Sequence, residues 1–327
     1  MRYRTLGRLG WEVAEIGYGM WGIAGGPGGF TGADYDTAPA CLDLAVELGC
    51  NFFDTAQAYG RGISEQMLGA LLRRHPGRTL YVATKLPPKN MAWPPGPGDT
   101  LDDVFPPAYI RESTYRSLEN LGVSRIDVLQ LHVWEDRWAK DERWAEALRD
   151  LKREGVIGAA GISVNRWEPA NCLAALDTGL IDVIQVIYNV FDQAPEDELF
   201  PRAQRDGVGI IARVPFDEGT LAGAISRSSS WPEGDWRTTY FGPENLGPSV
   251  SHLDELVADV GGRMPLPELA LRFILANPAV STVIPGMRTP EHVRANLAVS
   301  DGQVLDGDLT ARLRRHRWDR VPAWWSG

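Results

Sequence analysis

The chain has 327 residues, with 33 Lys and Arg against 43 Asp and Glu, a net charge of −10. The acidic excess is dispersed rather than blocked, which excludes a polyanion-binding face and nucleic acid as an expected partner. No apolar run is long enough to cross a bilayer and no leader-type amino terminus is seen, while Cys41, Cys50 and Cys172 lie far apart without metal-type spacing, so the expectation is a cytoplasmic protein with no membrane, disulfide or metal.

Along the chain, Tyr3–Leu6 and Glu12–Ala14 read as a hairpin around Gly7-Arg8-Leu9-Gly10. Short apolar runs then alternate with amphipathic ones. Strands are predicted at Glu15–Tyr18, Asn51–Asp54, Leu80–Lys85, Ile126–His132, Ala159–Ser163, Val183–Tyr188, Gly209–Val214 and Ser281–Pro285. They are mostly apolar, as expected of strands covered on both faces. Helices are predicted at Thr37–Leu48, Ser64–Leu72 with Ser64 as its cap, Pro107–Leu121, Asp141–Glu154, Glu168–Asp177, Glu198–Asp206, Pro267–Ala276 and Pro290–Val299. This alternation predicts a single domain over residues 1–327, a (β/α)8 TIM barrel behind an amino-terminal β-hairpin. Long loops follow three strands, at Leu86–Pro106, at Val133–Lys140 and over roughly fifty residues after Val214, a length usually reserved for function. In a barrel all three gather at the carboxyl-end face, where active sites lie. The tail carries Trp324 and Trp325, which could reach the same face.

Gly17-Tyr18-Gly19-Met20-Trp21-Gly22 matches a dinucleotide-binding GxGxxG. That motif needs a helix opening at its end, and the run Ile23-Ala24-Gly25-Gly26-Pro27-Gly28-Gly29 is expected not to start one. The glycines are read instead as a tight turn at the barrel mouth, with Trp21 facing the pocket.

Chemistry concentrates at strand ends. Asp54 closes the second strand and Tyr59 lies in the loop after it; Lys85 closes the third and His132 the fourth. A lysine ending an apolar strand needs a partner, and Asp54 on the neighbouring strand supplies one. An ammonium beside a phenol favours the phenolate, lowering a pKa that is ordinarily about 10. An imidazole nearby can donate to a substrate oxygen. Each residue alone is more simply an ion pair, a helix cap or rim packing; their conjunction on consecutive strands points to a proton-delivery site.

The stretch Gly49-Cys50-Asn51-Phe52-Phe53-Asp54-Thr55-Ala56-Gln57-Ala58-Tyr59-Gly60, followed by Ser64-Glu65 and Leu68-Gly69, resembles the signature of the aldo-keto reductase superfamily. Ala83-Thr84-Lys85 and Leu129-Gln130-Leu131-His132 resemble its other motifs. The resemblance implies a barrel plugged at its base by a hairpin and reduction of carbonyls with NAD(P)H. It also implies Asp54, Tyr59, Lys85 and His132 as catalytic residues, with Tyr59 the general acid.

The same resemblance places Ser163 and Gln185 at the nicotinamide carboxamide, with Val164 where many members carry Asn. Arg213 stands where an aromatic residue often stacks on the nicotinamide, and Pro215, Gly219 and Leu221 begin the loop that covers the pyrophosphate. Gly286, Arg288, His292 and Asn296 fall at the adenosine end, where Arg288 implies NADPH rather than NADH, although His292 and Ala295 replace residues common in the family. Trp21, Trp93 and Trp134 are candidates for an apolar substrate pocket. The expected function is NADPH-dependent reduction of an aldehyde or ketone, or the reverse oxidation. A cofactor-binding sensor or regulatory subunit and an internal-redox epimerase or dehydratase are the alternatives. Nothing in the sequence indicates an oligomer.

Overall fold

Side chains two positions apart on a strand face the same side of a sheet, and that period organises this molecule. The computed structural model describes residues 1–25, 31–32 and 34–320. Eight strands form one sheet: β3 (Tyr18–Gly19), β4 (Phe52–Asp54), β5 (Tyr81–Leu86), β6 (Ile126–Leu131), β7 (Ile157–Ser163), β8 (Val183–Ile187), β9 (Gly209–Arg213) and β10 (Val280–Val283). Each runs parallel to the next. Backbone bonds from Gly17 N to Val283 O (2.8 Å) and Gly19 N to Pro285 O (3.0 Å) join the first strand to the last. The sheet is thereby curled into a (β/α)8 barrel without exposed edges.

The connecting helices are α2 (Thr37–Glu47), α3 (Ile63–Arg74), α5 (Pro107–Leu121), α6 (Arg143–Arg153), α7 (Leu173–Asp177), α8 (Leu199–Asp206), α11 (Leu266–Leu275) and α12 (Pro290–Ala298). Added to this frame are α1 (Trp21–Ala24), α4 (Leu101–Val104), α9 (Trp236–Tyr240), α10 (Leu246–Val260) and α13 (Gly307–Arg314).

The hairpin of β1 (Tyr3–Thr5) and β2 (Glu12–Ala14) closes the base. Leu6 and Val13 pack against one buried side chain from each of Phe52, Ala83, Val128, Ala159, Val183, Ile211 and Ile284, forming an apolar floor. The approach is close: Arg8 N–H donates to Gly207 O, and a Cβ on Gly7 would collide with the Gly209 backbone nitrogen. Two positions further along the same strands, the inward residues become Asp54, Lys85, Gln130, Gly161, Gln185 and Arg213. A polar layer therefore sits directly on the apolar floor.

Several elements differ from expectation. The first barrel strand pairs with β4 only at Tyr18–Gly19, because Glu15 to Gly17 is drawn into the seam with β10. Gly17 and Gly19 of the GxGxxG belong to this seam, where a Cβ on Gly19 would lie 2.6 Å from Ile284 O; Gly22 lies inside a one-turn helix, α1, which takes in Ile23 and Ala24, contrary to expectation, and stops before Gly25. Ser64 lies inside α3 rather than capping it, since the helix opens from Gly62 and the Ser64 hydroxyl accepts from Thr55 at 2.7 Å. The helix expected at Glu168–Asp177 begins only at Leu173, where Asp136 accepts from Ala174 N (2.6 Å) and Ala175 N (3.0 Å) and so fixes its start. The span after Val214 is not structureless: it holds a 3-10 turn at Asp217–Ala222, then α9 and α10. Val250, Leu253, Leu256 and Val260 give α10 a helical period that Gly247-Pro248 at its start obscured. Trp324 and Trp325 lie outside the described residues.

Gly7 (φ +50°) and Gly10 (φ +70°) are both left-handed, but an added Cβ on Gly10 meets nothing within 4 Å. Gly10→Ala should therefore lower stability by about 1 kcal/mol, the left-handed cost alone, and Gly7→Ala by clearly more, on the order of 3 kcal/mol. Denaturant midpoints of the two variants test this, and equal losses would show that the hairpin tolerates movement away from the floor.

Candidate active site

Lys85 is fully buried, and its ammonium contacts the Asp54 carboxylate, also buried. Lys85 Nζ further donates to Thr55 O at 2.8 Å and to the Tyr59 hydroxyl at 3.3 Å. The other Asp54 oxygen accepts from Gln185 Nε2 (2.7 Å) and Gln130 Nε2 (3.3 Å). The β4–β5–β6 register sets these neighbours, pairing Asp54 with Ala83 and Lys85 with Gln130. His132, just past β6, meets the Tyr59 ring edge-on at 5.7 Å. The structure thus brings all four predicted residues to one end of the barrel.

Burial raises the Tyr59 phenol above its ordinary value; Lys85 opposes this and Asp54 reinforces it. The net direction is upward, because desolvation of the phenolate outweighs the pull of an ammonium already occupied by a carboxylate. Burial pulls the Lys85 ammonium down, but Asp54 and Tyr59 more than offset it, and its pKa is raised. Burial, then Lys85 and Arg213, hold His132 well below its usual range, so the imidazole is neutral.

Trp21 stands 6.3 Å from the Tyr59 ring and 5.0 Å from Trp236 on α9. Trp93 meets His132 edge-on at 5.7 Å and is 40% exposed. These three line the mouth. Trp134 does not: it is 1% exposed, packs on Trp138 and Trp144, and donates its indole N–H to Asp136 at 3.1 Å, so it belongs to the core. Its place two residues beyond His132 in a tryptophan-rich loop was the misleading signal, while Trp236, hidden in a presumed loop, was missed.

On the far side of the mouth, Ser163 ends β7 and pairs in register with Gln185. Both Gln185 amide hydrogens are committed, to Asp54 and to Gln130 Oε1 (3.3 Å), which leaves its oxygen for a ligand. Arg213 donates to Val164 O at 3.0 Å while its Nε is buried without a partner. Buried Pro215 follows, and then the N–H groups of Gly219 and Leu221, both spent on Phe216 O at 2.9 Å. Val214, Asp217 and Glu218 all have positive φ (56°, 44° and 56°), a cluster of strain of the kind found where a chain clamps a ligand. Gly286 is exposed beside the seam, and Arg288 is half-buried with Arg237 and Asp235 in its field. Thr289 caps α12 at His292 N (3.3 Å); the His292 side chain is exposed and Asn296 is buried.

His132 Nδ1, Arg213 Nε, Thr220 Oγ1 and Asp217 Oδ2 are buried without hydrogen-bond partners. Such orphans normally find protein or ligand partners, and all four follow or end barrel strands at the same mouth. They fit a polar ligand of dinucleotide type running from the tyrosine toward α12. Thr220, unremarkable in sequence, is an added candidate for holding it.

An ion network beside the mouth was not anticipated. Arg166 bonds Tyr240 and pairs with Asp192 (3.4 Å) and Asp217 (3.3 Å), while Arg320 of the tail donates to Tyr240 (2.8 Å) and Asp217 (2.7 Å). Its members come from five separate segments, so no local spacing reveals it.

Residues 15–317 match the model of the Aldo/keto reductase family, and the chain belongs to that family. It is 29% identical to an NADH-specific methylglyoxal reductase of Escherichia coli K12 over 95% of this chain and 97% of that one. It is 31% identical to a D-threo-aldose 1-dehydrogenase of a Pseudomonas species, over 96% and 97% respectively. The solved holo form of an aldo-keto reductase from Bacillus halodurans superposes with a TM-score of 0.77 at 29% identity, covering 99% of both chains. The protein is accordingly an NAD(P)H-dependent oxidoreductase acting on carbonyl or alcohol substrates. No described helix is long and apolar enough to cross a membrane.

Burial pushes the Glu218 carboxyl up to about 7 from an ordinary 4.5, against the pull of Arg166. The folded protein therefore keeps a proton there that the unfolded chain loses, a contribution to stability that is full below about pH 4.5 and lost as pH rises through about 7. Glu218→Gln should leave stability near pH 5 little changed and raise it near pH 8 by on the order of 2 kcal/mol. Denaturation at the two pH values measures this, and an equal shift at both would contradict it.

Proposed function

We propose that the protein is a cytoplasmic, single-domain reductase that converts an aldehyde or ketone to an alcohol with NADPH, or runs the reverse oxidation, with Tyr59 as the proton donor. The observation that carries the reading is the Lys85 ammonium 3.3 Å from the Tyr59 hydroxyl, with Asp54 and Thr55 O behind it. Because Lys85 is anchored on two sides, it cannot follow the proton; it stays to stabilise the phenolate as Tyr59 releases its hydrogen to the substrate oxygen. His132, held neutral, donates one ring N–H to the same oxygen and fixes its approach. Bound nicotinamide supplies the hydride.

Ser163 and the Gln185 oxygen would hold the carboxamide, with Arg213 beside the ring. Pro215, Gly219, Thr220 and Leu221 would follow the pyrophosphate, and Gly286, Arg288, His292 and Asn296 the adenosine. The α12 amino terminus adds N–H groups and a positive dipole end. Support for NADPH comes from Arg288, half-buried at the adenosine end in the field of Arg237, which is itself paired with Asp235 at 2.8 Å. Trp21, Trp93 and Trp236 wall the substrate space with aromatic faces, which suits a small carbonyl with apolar or sugar-like faces. Unpaired Cys41, Cys50 and Cys172 accord with a reducing compartment.

Tyr59→Phe should cut turnover by at least about a hundredfold while cofactor affinity, read by tryptophan quenching, stays near normal; undiminished turnover would remove the acid role. Arg288→Ala should weaken NADPH by on the order of tenfold or more and NADH little, and equal weakening of both would reject the phosphate clamp.

A further inference from the structure

The inward layer above the barrel floor is unbalanced in charge. Lys85 is closed by Asp54, and Gln130 and Gln185 are neutral. Arg213, the remaining charged member, holds only a neutral carbonyl, Val164 O, at 3.0 Å, and its Nε has no partner. Among the described residues no carboxylate is in ion-pair contact with it. Nearby, Arg166 and Arg320 are matched against Asp192 and Asp217. Glu218, whose field does reach Arg213, is only partly ionised near neutrality because burial holds its carboxyl at about 7. One positive charge in the layer thus has no ion-pair partner among the described residues.

That charge lies close to where hydride transfer must occur. Proton and hydride go to the oxygen and carbon of one carbonyl, which are bonded to each other. The reacting ring carbon therefore lies in contact with a carbon whose oxygen meets Tyr59. Arg213 is the inward residue of its strand in the same layer as Asp54 and Lys85, and its field reaches both Tyr59 and Asp54. The nicotinamide ring is cationic when oxidised and neutral when reduced.

We propose that Arg213 discriminates between the two oxidation states of the nicotinamide, binding the reduced form more tightly than the oxidised one and so drawing the enzyme-bound equilibrium toward alcohol oxidation. In that direction the alcohol carbon loses a hydride to the nicotinamide ring and the hydroxyl proton passes to the Tyr59 oxygen. The alcohol loses two electrons and the ring gains them. An aromatic residue at position 213 would stack on the ring without this bias; a guanidinium adds a fixed cation to an interior where charges are weakly screened. The inference rests on the nicotinamide reading of the site.

The test is a set of binding titrations of the purified full chain with NADPH, NADP+, NADH and NAD+, followed by tryptophan quenching. The quantity read is the ratio of oxidised to reduced dissociation constants. In the wild type the oxidised form should bind more weakly. In Arg213→Met, and in Arg213→Gln should the methionine variant fold poorly, the ratio should fall at least about tenfold, as expected for removing a unit charge within about 12 Å at an effective dielectric of about 20. Arg213→Lys should keep most of the ratio even if both affinities drop, since packing changes act on both forms alike. A ratio within about twofold of wild type in the neutral variants, or a lysine variant that loses it equally, overturns the role of the charge. Failure of the wild type to bind any of the four cofactors overturns the nicotinamide reading itself, a distinct result.

Discussion

A lysine ammonium with no access to water is the constraint around which this barrel is arranged. Removing that charge from solvent is costly unless good geometry and further hydrogen bonds offset it. Asp54 and Thr55 O together do so, and Gln130 and Gln185 complete the carboxylate's partners from two other strands. The requirement therefore ties four strands into one register. It also leaves Lys85 one direction in which to act, toward Tyr59, so the demand for a paired charge and the demand for a polarised phenol are met by the same group.

The two-residue period of the strands then explains why structure and chemistry stack rather than mix. Phe52, Ala83, Val128, Val183 and Ile211 seal against the hairpin, and their successors two positions on are Asp54, Lys85, Gln130, Gln185 and Arg213. Gly161 is the gap in this ring, and a Cβ there would press on Gln130 at 2.9 Å. Apolar contact holds the layer below; ion pairs and amide bonds hold the one above.

Much of this was legible in the sequence because it repeats locally. Apolar runs with polar ends gave the barrel and its four candidate catalytic side chains, and Pro and Gly marked helix ends. What escaped reading is non-local. The start of α7 is set by Asp136 from another loop, and the register of β3 by the seam with β10. The network of Arg166, Asp192, Asp217, Tyr240 and Arg320 is assembled from five segments scattered between residues 166 and 320. Trp134 shows the reverse error: composition marked it as a pocket wall, but only packing against Trp138 and Trp144 could reveal it as interior. Likewise the sign of the Tyr59 shift depends on desolvation, a property of the folded environment that residue types alone do not carry.

With the lower end plugged by Leu6 and Val13, the opening among the described residues is the rim walled by Trp21, Trp93 and Trp236. Whatever settles deepest must arrive first and depart last, so the order of exchange follows from the architecture, and the rim loops rather than the reacting groups become the turnstile.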